Sequence, residues 1–476
     1  MIKKLNISFG LIFFIFGLYF IFKNNLDLDI NSRIQIIFIF IFSLIGVFLP
    51  ILSTKYIQKL PLINLTNLYF LICYVGVFFF DKNKVFFFSK YNNQEYSNAI
   101  SVLFAGYISF HIGYLLFNYL IKNFKRKSFQ YLTCSYNEIL IIGVSILIGV
   151  IFLFYLIEIQ NYFIYFSQIK YPLLLFGTGL CYYYLIEKKN INKFYFFLLI
   201  FIILIPIIFE LLKGAFNFPF MIMFLLYVYY LIVKKKINLL PFILIALVFL
   251  FVHLGKNDYR KKTWSSYGIE ENLTFFDKSK IFFDTYFTNQ TEDLKIENLV
   301  KRSDGYITER RIFHSFWSLV IVTKETPQNI PYWDGYSYKI LSSKIIPRIF
   351  WEKKPSDRLG NEFGHRYNII NKGDGDTPRD NHTSWNMPVL NEFYVNYGFV
   401  GVIVGMMLIG ILFSLLSRVF SIKENNNIES IIAFYIFVPL FFLESHLSLL
   451  FGAIIQSYIF LIIVSCMMLY ILRKIR

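Results

Sequence analysis

The residues best suited to chemistry lie in one polar segment, residues 345–401, which runs directly into a long apolar stretch. The segment concentrates arginines, a lysine pair and histidines, and Glu392 follows near its end. Arginine presents planar, paired N–H donors that match phosphate oxygens, and its charge persists in any environment. These residues are therefore suited to binding a diphosphate. With cations from other segments, the candidates are Arg260, Arg310, Arg311, Arg348, Arg358, Arg366, Arg379, Lys213, Lys353 and Lys354.

Aromatic side chains are interleaved with these cations. Aromatic rings suit stacking against sugar rings or anchoring at a lipid interface. One molecule would carry both the anion and the sugar, namely a lipid-linked diphospho-oligosaccharide. The aromatic residues are Tyr332, Trp333, Tyr336, Tyr338, Trp351, Tyr367 and Trp385.

Each candidate also has a structural interpretation. An external arginine can instead neutralise nearby acids or lipid headgroups. Glu392, close to the start of a predicted span, is either a buried partner of an arginine or a catalytic carboxylate. His382 is either a functional histidine or one held by structural hydrogen bonds, and His314 is most simply a surface histidine.

The composition determines the class of protein that must position these residues. Of 476 residues, 57% are hydrophobic and only 16% are charged, and the chain contains 58 Phe and 35 Tyr. A water-exposed surface this apolar would aggregate, so lipid must solvate most of the chain. The sequence predicts an all-α polytopic membrane protein. Its net charge of +17 lies largely in short loops between spans, which indicates helix orientation and excludes nucleic-acid binding.

A membrane span needs about twenty mostly apolar residues, and the chain offers about twelve such stretches. The division is an N-terminal bundle of about nine helices (1–255), a large external loop (256–387) and about three C-terminal helices (388–476). The predicted spans are 5–22, 34–53, 62–80, 98–121, 137–159, 170–186, 193–211, 216–233, 238–255, 388–417, 427–445 and 448–472.

Basic residues predict the orientation of these spans. Alternate connections hold an excess of Lys and Arg, which marks the cytoplasmic side. Residues 5–22 are interpreted as a retained span, because no small-residue cleavage site follows them. Both termini are therefore predicted to be cytoplasmic and the long loop external. The basic connections contain Lys55, Lys59, Lys122, Lys125, Arg126, Lys127, Lys188, Lys189, Lys193, Lys234, Lys235, Lys236, Arg418 and Lys423.

Inside the external loop, residues 310–323 have apolar side chains at helical spacing behind two arginines. This pattern predicts an amphipathic helix on the membrane surface, with Trp317 as its interfacial anchor. The glycines Gly398, Gly401, Gly405 and Gly410 predict a face for close helix packing. A polar vestibule under the loop is predicted from charges at the outer helix ends, namely Glu158, Glu210, Lys213, Lys256, Asp258, Arg260, Glu392, Glu444 and His446.

The four cysteines lie outside the long polar segment, which predicts neither a disulfide framework nor a thiolate metal site. Arginines can supply positive charge to a diphosphate without a metal ion, so no cofactor is expected.

Two motifs then suggest a family. The chain resembles the bacterial Wzy-type polymerases of oligosaccharide repeat units, which build O-antigen and capsule. The resemblance covers the layout of the whole chain, and its specific motifs lie between residues 347 and 398. They are Pro347-Arg348, Phe350-Trp351 and Lys354-Pro355, followed by Glu392-Phe393-Tyr394-Val395-Asn396-Tyr397-Gly398.

The resemblance implies glycosyl transfer at the outer face of the bacterial inner membrane. A glycan on undecaprenyl diphosphate would be transferred to one lipid-linked repeat unit, with a chain-length regulator as a further partner. Cations would stabilise the departing diphosphate, and a base would take the proton of the acceptor hydroxyl. The implied diphosphate residues are Arg348, Arg310, Arg311, Arg379, Lys213, Arg260 and Lys354, the base is His382 or Glu392, and the sugar contacts are Trp351, Tyr394 and Asn396.

Three other functions remain open from the sequence. A flippase for lipid-linked oligosaccharides also needs cations, but in a cavity that opens to both sides. A glycosyltransferase that uses a lipid monophosphate sugar would use Asp27 and Asp29 in the first external loop. An O-antigen ligase differs only in its acceptor, and the His382-Thr383 pair approximates a ligase motif with a longer gap to Gly398. Where a second arginine is expected after the middle spans, the chain has Lys213.

Overall fold

The chain folds as an all-α membrane protein. The structure, a computed structural model, describes residues 15, 17, 19, 28–52, 60–79, 90–121, 130–158, 167–188, 190–214, 216–234, 239–264, 273–288, 314–344, 346, 351, 358–370, 385–420, 427–452 and 454–475. The helices are α1 (Ile30–Leu52), α2 (Leu62–Phe70), α3 (Asn93–Leu120), α4 (Tyr136–Val150), α5 (Ser167–Glu187), α6 (Lys193–Leu212), α7 (Asn217–Lys234), α8 (Leu239–Leu254), α9 (Lys256–Thr263), α10 (Phe275–Phe283), α11 (His314–Glu325), α12 (Tyr336–Ser343), α13 (Leu359–Arg366), α14 (Val389–Val419), α15 (Ile428–Phe437), α16 (Leu447–Gly452) and α17 (Ile454–Ile475).

Seven helical stretches of the described chain are long and apolar enough to cross a membrane. Short π- and 3₁₀-helical segments extend two of them: α2 continues to Phe79, and α4 continues to Leu156. The other predicted spans correspond to shorter helices, to α5, or, for 5–22, to residues almost wholly outside those described. The seven are Ile30–Val47, Leu62–Phe79, Asn93–Leu120, Tyr136–Leu156, Lys193–Leu212, Val389–Val419 and Leu447–Ile475.

Local capping determines where a helix begins when hydropathy does not. The span predicted at 98–121 begins at Asn93, because Asn92 and Glu95 form a capping box. The Glu95 amide donates to Asn92 Oδ1 at 2.9 Å, and the Asn92 amide donates to Glu95 Oε2 at 2.8 Å. Each bond satisfies a backbone donor that the first helical turn leaves open. The polar first turn is therefore part of the helix.

Helices α3 and α14 pack side by side through small residues. A side chain at Gly410 would overlap the backbone of Phe110 and Tyr114, and one at Gly113 would overlap the Met407 carbonyl. Small residues let two backbones approach this closely. The predicted packing role of the glycines is thus confirmed at Gly410.

Three of the basic connections meet at one end of the bundle. Arg473 of α17 donates to the carbonyls of Tyr131 and Thr133, and Thr133 in turn pairs with Asn427. At the same end, Lys188 reaches Asn137. The described residues beside three of the connections predicted to be cytoplasmic therefore lie together with the end of α17.

Helix α11 does not lie on a surface. It packs against α3, α14 and the end of α2, and His314 is only 4% exposed. Its polar side chains have internal partners: Asn391 Nδ2 donates to Ser318 Oγ at 2.7 Å, and Tyr69 and Ser315 share a hydrogen bond of 3.1 Å. The predictions of an amphipathic surface helix and of a surface histidine are therefore wrong, because hydrogen bonds inside the bundle satisfy the polar face.

A small second core lies beside this bundle. The end of α11 contributes Ile321 and Val322, α13 contributes Leu359 and Phe363, and the start of α14 contributes Val395. Further members of the same cluster are Trp333, Tyr367 and Met387. Burial of these apolar side chains fixes α13 and the turn at residues 331–336 against the start of α14.

Candidate functional site

The motif at the start of α14 contains a break in the helix. Tyr397 (φ −142°, ψ 22°) and Gly398 (φ 60°, ψ −146°) depart from helical geometry. Residues with a Cβ avoid the conformation of Gly398. A side chain there would also lie 2.6 Å from the Tyr332 hydroxyl. Both the backbone conformation and the contact with Tyr332 therefore require a glycine at position 398. Gly398 forms a kink in α14, and not the helix-packing contact that was predicted.

Asn396 joins this kink to the neighbouring turn. Its Oδ1 accepts from the Gly335 amide at 3.0 Å, and its Nδ2 donates to Ser337 Oγ at 2.9 Å and to the Glu392 carbonyl at 2.8 Å. The Trp333 amide adds a bond to the Val395 carbonyl at 2.9 Å. Gly335 itself has a φ of 85°, which favours glycine. The motif therefore holds residues 331–336 in a fixed turn.

Helix α13 lies opposite this turn, and its two faces differ: one carries small residues and the other polar and charged residues. A side chain at Gly360 would overlap the Trp385 carbonyl, and one at Gly364 would overlap Ile370, so the back of α13 must be small. The opposite side carries Glu362, His365 and Arg366 at spacings of three and four residues, which place side chains on one face of a helix. The two glycines thus determine which face of α13 points away from the core.

Arg366 connects α13 to the turn. Its Nη2 donates to the Pro331 carbonyl at 2.5 Å, and its guanidinium lies 5.6 Å from the centre of the Trp333 ring. A guanidinium over an indole face adds cation–π attraction to the hydrogen bond. Arg366, a predicted diphosphate-binding residue, therefore links α13 to the turn at residues 331–336.

Between these walls lies an open cleft of about 850 Å³. The negative charge of Glu362 raises the pKa of the Tyr336 phenol, and partial burial and, least, hydrogen bonding with Glu362 add to the effect. Tyr336, on the turn, and Glu362, on α13, both line the cleft. The lining residues are Pro331, Tyr332, Trp333, Tyr336, Glu362, His365, Arg366 and Asn368. This combination of aromatic rings, a carboxylate and an imidazole is suited to a polar ligand with an apolar face.

Glu392 lies in the same motif but is fully buried. Its Oε2 accepts a hydrogen bond of 2.7 Å from the Leu447 amide at the start of α16. Burial and, to a lesser extent, the charge of Glu392 raise the pKa of Tyr338. A carboxylate at a helix start satisfies open backbone donors, which is the contact expected of a structural residue.

The predicted sugar contacts in α14 support the cleft from behind. Asn396 is fully buried with both polar atoms hydrogen bonded, and Tyr394 donates to the Thr326 carbonyl at 3.4 Å. The prediction that Asn396 binds a sugar directly is corrected, because its side-chain amide is already hydrogen bonded to Gly335, Ser337 and the Glu392 carbonyl. Trp351 is 37% exposed. The predicted residues Arg310, Arg311, Arg348, Lys354, Arg379 and His382 lie outside the described residues.

Lys213 and Arg260 belong to a different region, around the ends of α6 and α9. Arg260 donates through Nε and Nη2 to the Gly214 carbonyl at 3.0 and 2.7 Å, and its guanidinium stacks 4.2 Å from the Trp264 ring centre. The fork expected for a phosphate is here bound to a backbone carbonyl just beyond the end of α6. Lys213 Nζ lies 5.4 Å from the ring centre of Tyr155. Neither cation lines the cleft. Tyr259, next to Arg260 in the chain, belongs to a third core with Phe216, Phe220, Val252 and Tyr286.

Next to Lys213, a buried ion pair joins α5 to α6. Lys170 Nζ and Glu210 Oε1 are 2.5 Å apart, and Glu210 is fully buried. Tyr155 donates to the same oxygen at 2.8 Å, and Tyr171 donates to Oε2 at 3.4 Å. Sequence reasoning placed Glu210 in a vestibule and missed Lys170. The signal was a lysine within a predicted span, which requires a partner.

Asp29, a candidate for the alternative transferase, has a structural contact. Its carboxylate accepts from the Ser32 amide at 3.3 Å at the start of α1 and from Ser97 Oγ at 2.5 Å. The hydrogen bonds with Ser32 and Ser97 lower the pKa of Asp29. It caps a helix. Its predicted companion, Asp27, lies outside the described residues.

No protein-family model matches the chain, and comparisons with curated proteins and with solved structures gave no significant match. The resemblance to the polymerases therefore rests on the motifs, and function must be inferred from the residues themselves.

Proposed function

We propose that this protein is a glycosyltransferase that polymerises lipid-linked oligosaccharide repeat units at the outer face of a bacterial inner membrane. One observation carries the proposal. The motif that resembles one of the Wzy-type polymerases, Glu392 to Gly398, holds the aromatic-lined cleft through Asn396 and Gly398. A motif that builds a site next to a membrane helix supports action on a lipid-linked substrate.

The proposed reaction is a displacement at an anomeric carbon. The acceptor hydroxyl forms a new C–O bond to the donor sugar, while the bond from that sugar to the diphosphate breaks. The diphosphate leaves with the electron pair, and a base takes the hydroxyl proton. Cations near the leaving group stabilise the charge that it accumulates.

The catalytic and diphosphate-binding roles follow the sequence predictions with revisions at Glu392, Arg260 and Lys213. Arg348, supported by Arg310, Arg311, Arg379 and Lys354, binds the diphosphates. His382 is the base, because the buried contact of Glu392 with the Leu447 amide favours a structural role for that glutamate. Arg260 and Lys213 lose their assignments, because the paired donors of Arg260 are bonded to the Gly214 carbonyl and Lys213 lies beside Tyr155 in the same region, away from the cleft.

The orientation of the protein is part of the proposal. Three of the basic connections share one end of the bundle, and the positive-inside rule makes that end cytoplasmic. The cleft lies beside the opposite end of α14, near Gly398. A cleft at this end of the bundle supports an enzyme over a flippase, which needs a cavity that opens to both sides.

The first test is the length distribution of the surface glycan after deletion of the gene. A single repeat unit on the lipid carrier, with synthesis and export intact, is expected. Complete loss of surface glycan would instead favour a flippase, and full-length polymer retained on the carrier would identify a ligase.

The second test concerns the fork of Arg348. Arg348→Lys keeps the charge but removes the paired donors, so polymer formation should fall at least tenfold at equal expression. Arg418→Lys, at the other end of α14, is the matched control and should keep normal polymer. Normal polymer from Arg348→Lys would remove Arg348 from the diphosphate site.

A further inference from the structure

We propose that the cleft between α13 and the turn at residues 331–336 is a subsite for one neutral pyranose of the glycan. The inference rests on the proposed function and adds to it the ligand class and the contacts. The sugar ring would lie against Tyr336, and its hydroxyls would be bound by Glu362 and His365. None of these residues belongs to the motifs that carry the family resemblance.

The aromatic wall has one fixed ring and one presented ring. Trp333 is 9% exposed and is held by Arg366, whereas Tyr336 is 41% exposed. The two ring centres are 5.7 Å apart at an angle of 62°. Trp333 therefore supports Tyr336 from the side and leaves its ring open. A pyranose has an apolar face of C–H groups, and an exposed aromatic ring is the surface that such a face covers.

The polar wall supplies hydrogen bonds to hydroxyl groups. A carboxylate accepts through two oxygens with about four lone-pair sites, so Glu362, which lines the cleft with Tyr336, can accept from the hydroxyls of a sugar. The imidazole of His365, one turn further along α13, can donate or accept. Glu362 and Arg366 have opposite charges on the same helix face, so the cleft is close to neutral. This balance favours a neutral sugar over an acidic one.

The cleft has the size and the rigidity that a binding site needs. Its volume of about 850 Å³ lies within the range of about 300 to 1,000 Å³ that small-molecule sites occupy. Three hydrogen bonds hold the turn. The Gly335 amide donates to Asn396, the Trp333 amide donates to the Val395 carbonyl, and Arg366 donates to the Pro331 carbonyl. Walls that are held before the ligand arrives lose little conformational freedom on binding.

The test is saturation-transfer NMR on the full chain in lipid nanodiscs. The probe is a set of short oligosaccharides made by partial acid hydrolysis of the surface polysaccharide of the host. We expect transfer to the ring protons of one sugar, and at least tenfold weaker binding in Tyr336→Ala and Glu362→Gln. Tyr336→Phe, which keeps the ring, should retain more binding than Tyr336→Ala.

Two control variants carry the same chemical changes elsewhere in the same long segment. Phe276→Ala removes an aromatic ring that is 82% exposed on α10, and Glu325→Gln neutralises a carboxylate at the end of α11. Both should bind like the wild type. Equal binding by the cleft variants and the wild type, or equal loss in the controls, would overturn the subsite.

The binding result and the polymerase result can fail separately. The probe comes from finished polysaccharide, so it exists whatever the deletion strain produces. Normal glycan length in the deletion strain would contradict the polymerase, whereas unchanged binding by Tyr336→Ala and Glu362→Gln would contradict the cleft alone. Each variant is first checked for an unchanged melting temperature, and Tyr336→Phe keeps the test valid if Tyr336→Ala unfolds.

Discussion

At the cleft, charged side chains of α13 face an open volume, whereas between α5 and α6 the carboxylate of Glu210 is enclosed by its partners. Glu362 is exposed and lines the cleft together with Tyr336 and His365. Glu210 is buried and bonded to Lys170, Tyr155 and Tyr171. The sequence predicts Glu210 in a polar vestibule under the long segment that contains α13. Of the two carboxylates, Glu362 is the one that keeps acceptor capacity for a ligand.

The difference shows how to separate binding charges from structural ones. A buried charge must be neutralised and hydrogen bonded at once, and these partners use up its capacity. A charge at a cleft can leave part of its capacity to the ligand. Replacing residues of the enclosed group should therefore change stability, and replacing residues at the cleft should change binding.

The largest expected effect is at the buried ion pair. Glu210→Ala leaves the Lys170 ammonium buried without its counter-charge, so the free energy of unfolding should fall by about 3–5 kcal/mol. The measurement is thermal unfolding of the protein in detergent, converted to free energy where unfolding is reversible. The double variant Lys170→Met with Glu210→Leu removes both charges and should recover most of the loss. No recovery would contradict the explanation that the loss comes from an uncompensated buried charge.

A smaller effect is expected at the kink of α14. Gly398→Ala forces a side chain into a glycine-only conformation and against Tyr332, which should cost about 1–3 kcal/mol of stability. It should also weaken oligosaccharide binding, because Tyr332 lines the cleft. Gly149→Ala is the control, since no atom lies within 4 Å of a side chain there, and it should leave stability equal or slightly higher. Equal melting temperatures for the two variants would contradict the strain at Gly398.

Asn396 connects the two kinds of effect. Asn396→Asp keeps the oxygen that accepts from Gly335 but removes the donor to Ser337 and Glu392, which should cost about 1–3 kcal/mol. Binding of the oligosaccharide should weaken although Asn396 does not line the cleft. NMR binding and thermal unfolding on the same samples measure both. Unchanged binding at reduced stability would separate the motif from the cleft.

The smallest effect is at an exposed bridge. Lys324 of α11 and Glu95 of α3 are 3.0 Å apart near the surface. Lys324→Met should lower stability by less than about 1 kcal/mol. The difference from wild type should shrink as salt is raised, because ions screen exposed charges. A loss that is independent of salt would indicate a packing role for the lysine stem.

The all-α class and the position of most helices could be predicted, because hydropathy alone decides which stretches avoid water. Hydropathy could not predict that α11 is buried, because that depends on partners such as Asn391 and Tyr69, which are distant in sequence. The same limit applies to the site. The motif identified Asn396, but its role behind the turn follows from contacts with Gly335 and Ser337 that no spacing in the sequence shows.

The kink at Gly398 also determines depth. At a helical rise of about 1.5 Å per residue, residues 399–419 are roughly 30 Å long, which equals the thickness of the hydrocarbon layer of a bilayer. If residues 399–419 fill that layer, the part of α14 before the kink would lie in the headgroup layer, together with Tyr332 and the cleft that it lines. A sugar bound there would rest at the level of the diphosphate that attaches a glycan to its lipid carrier.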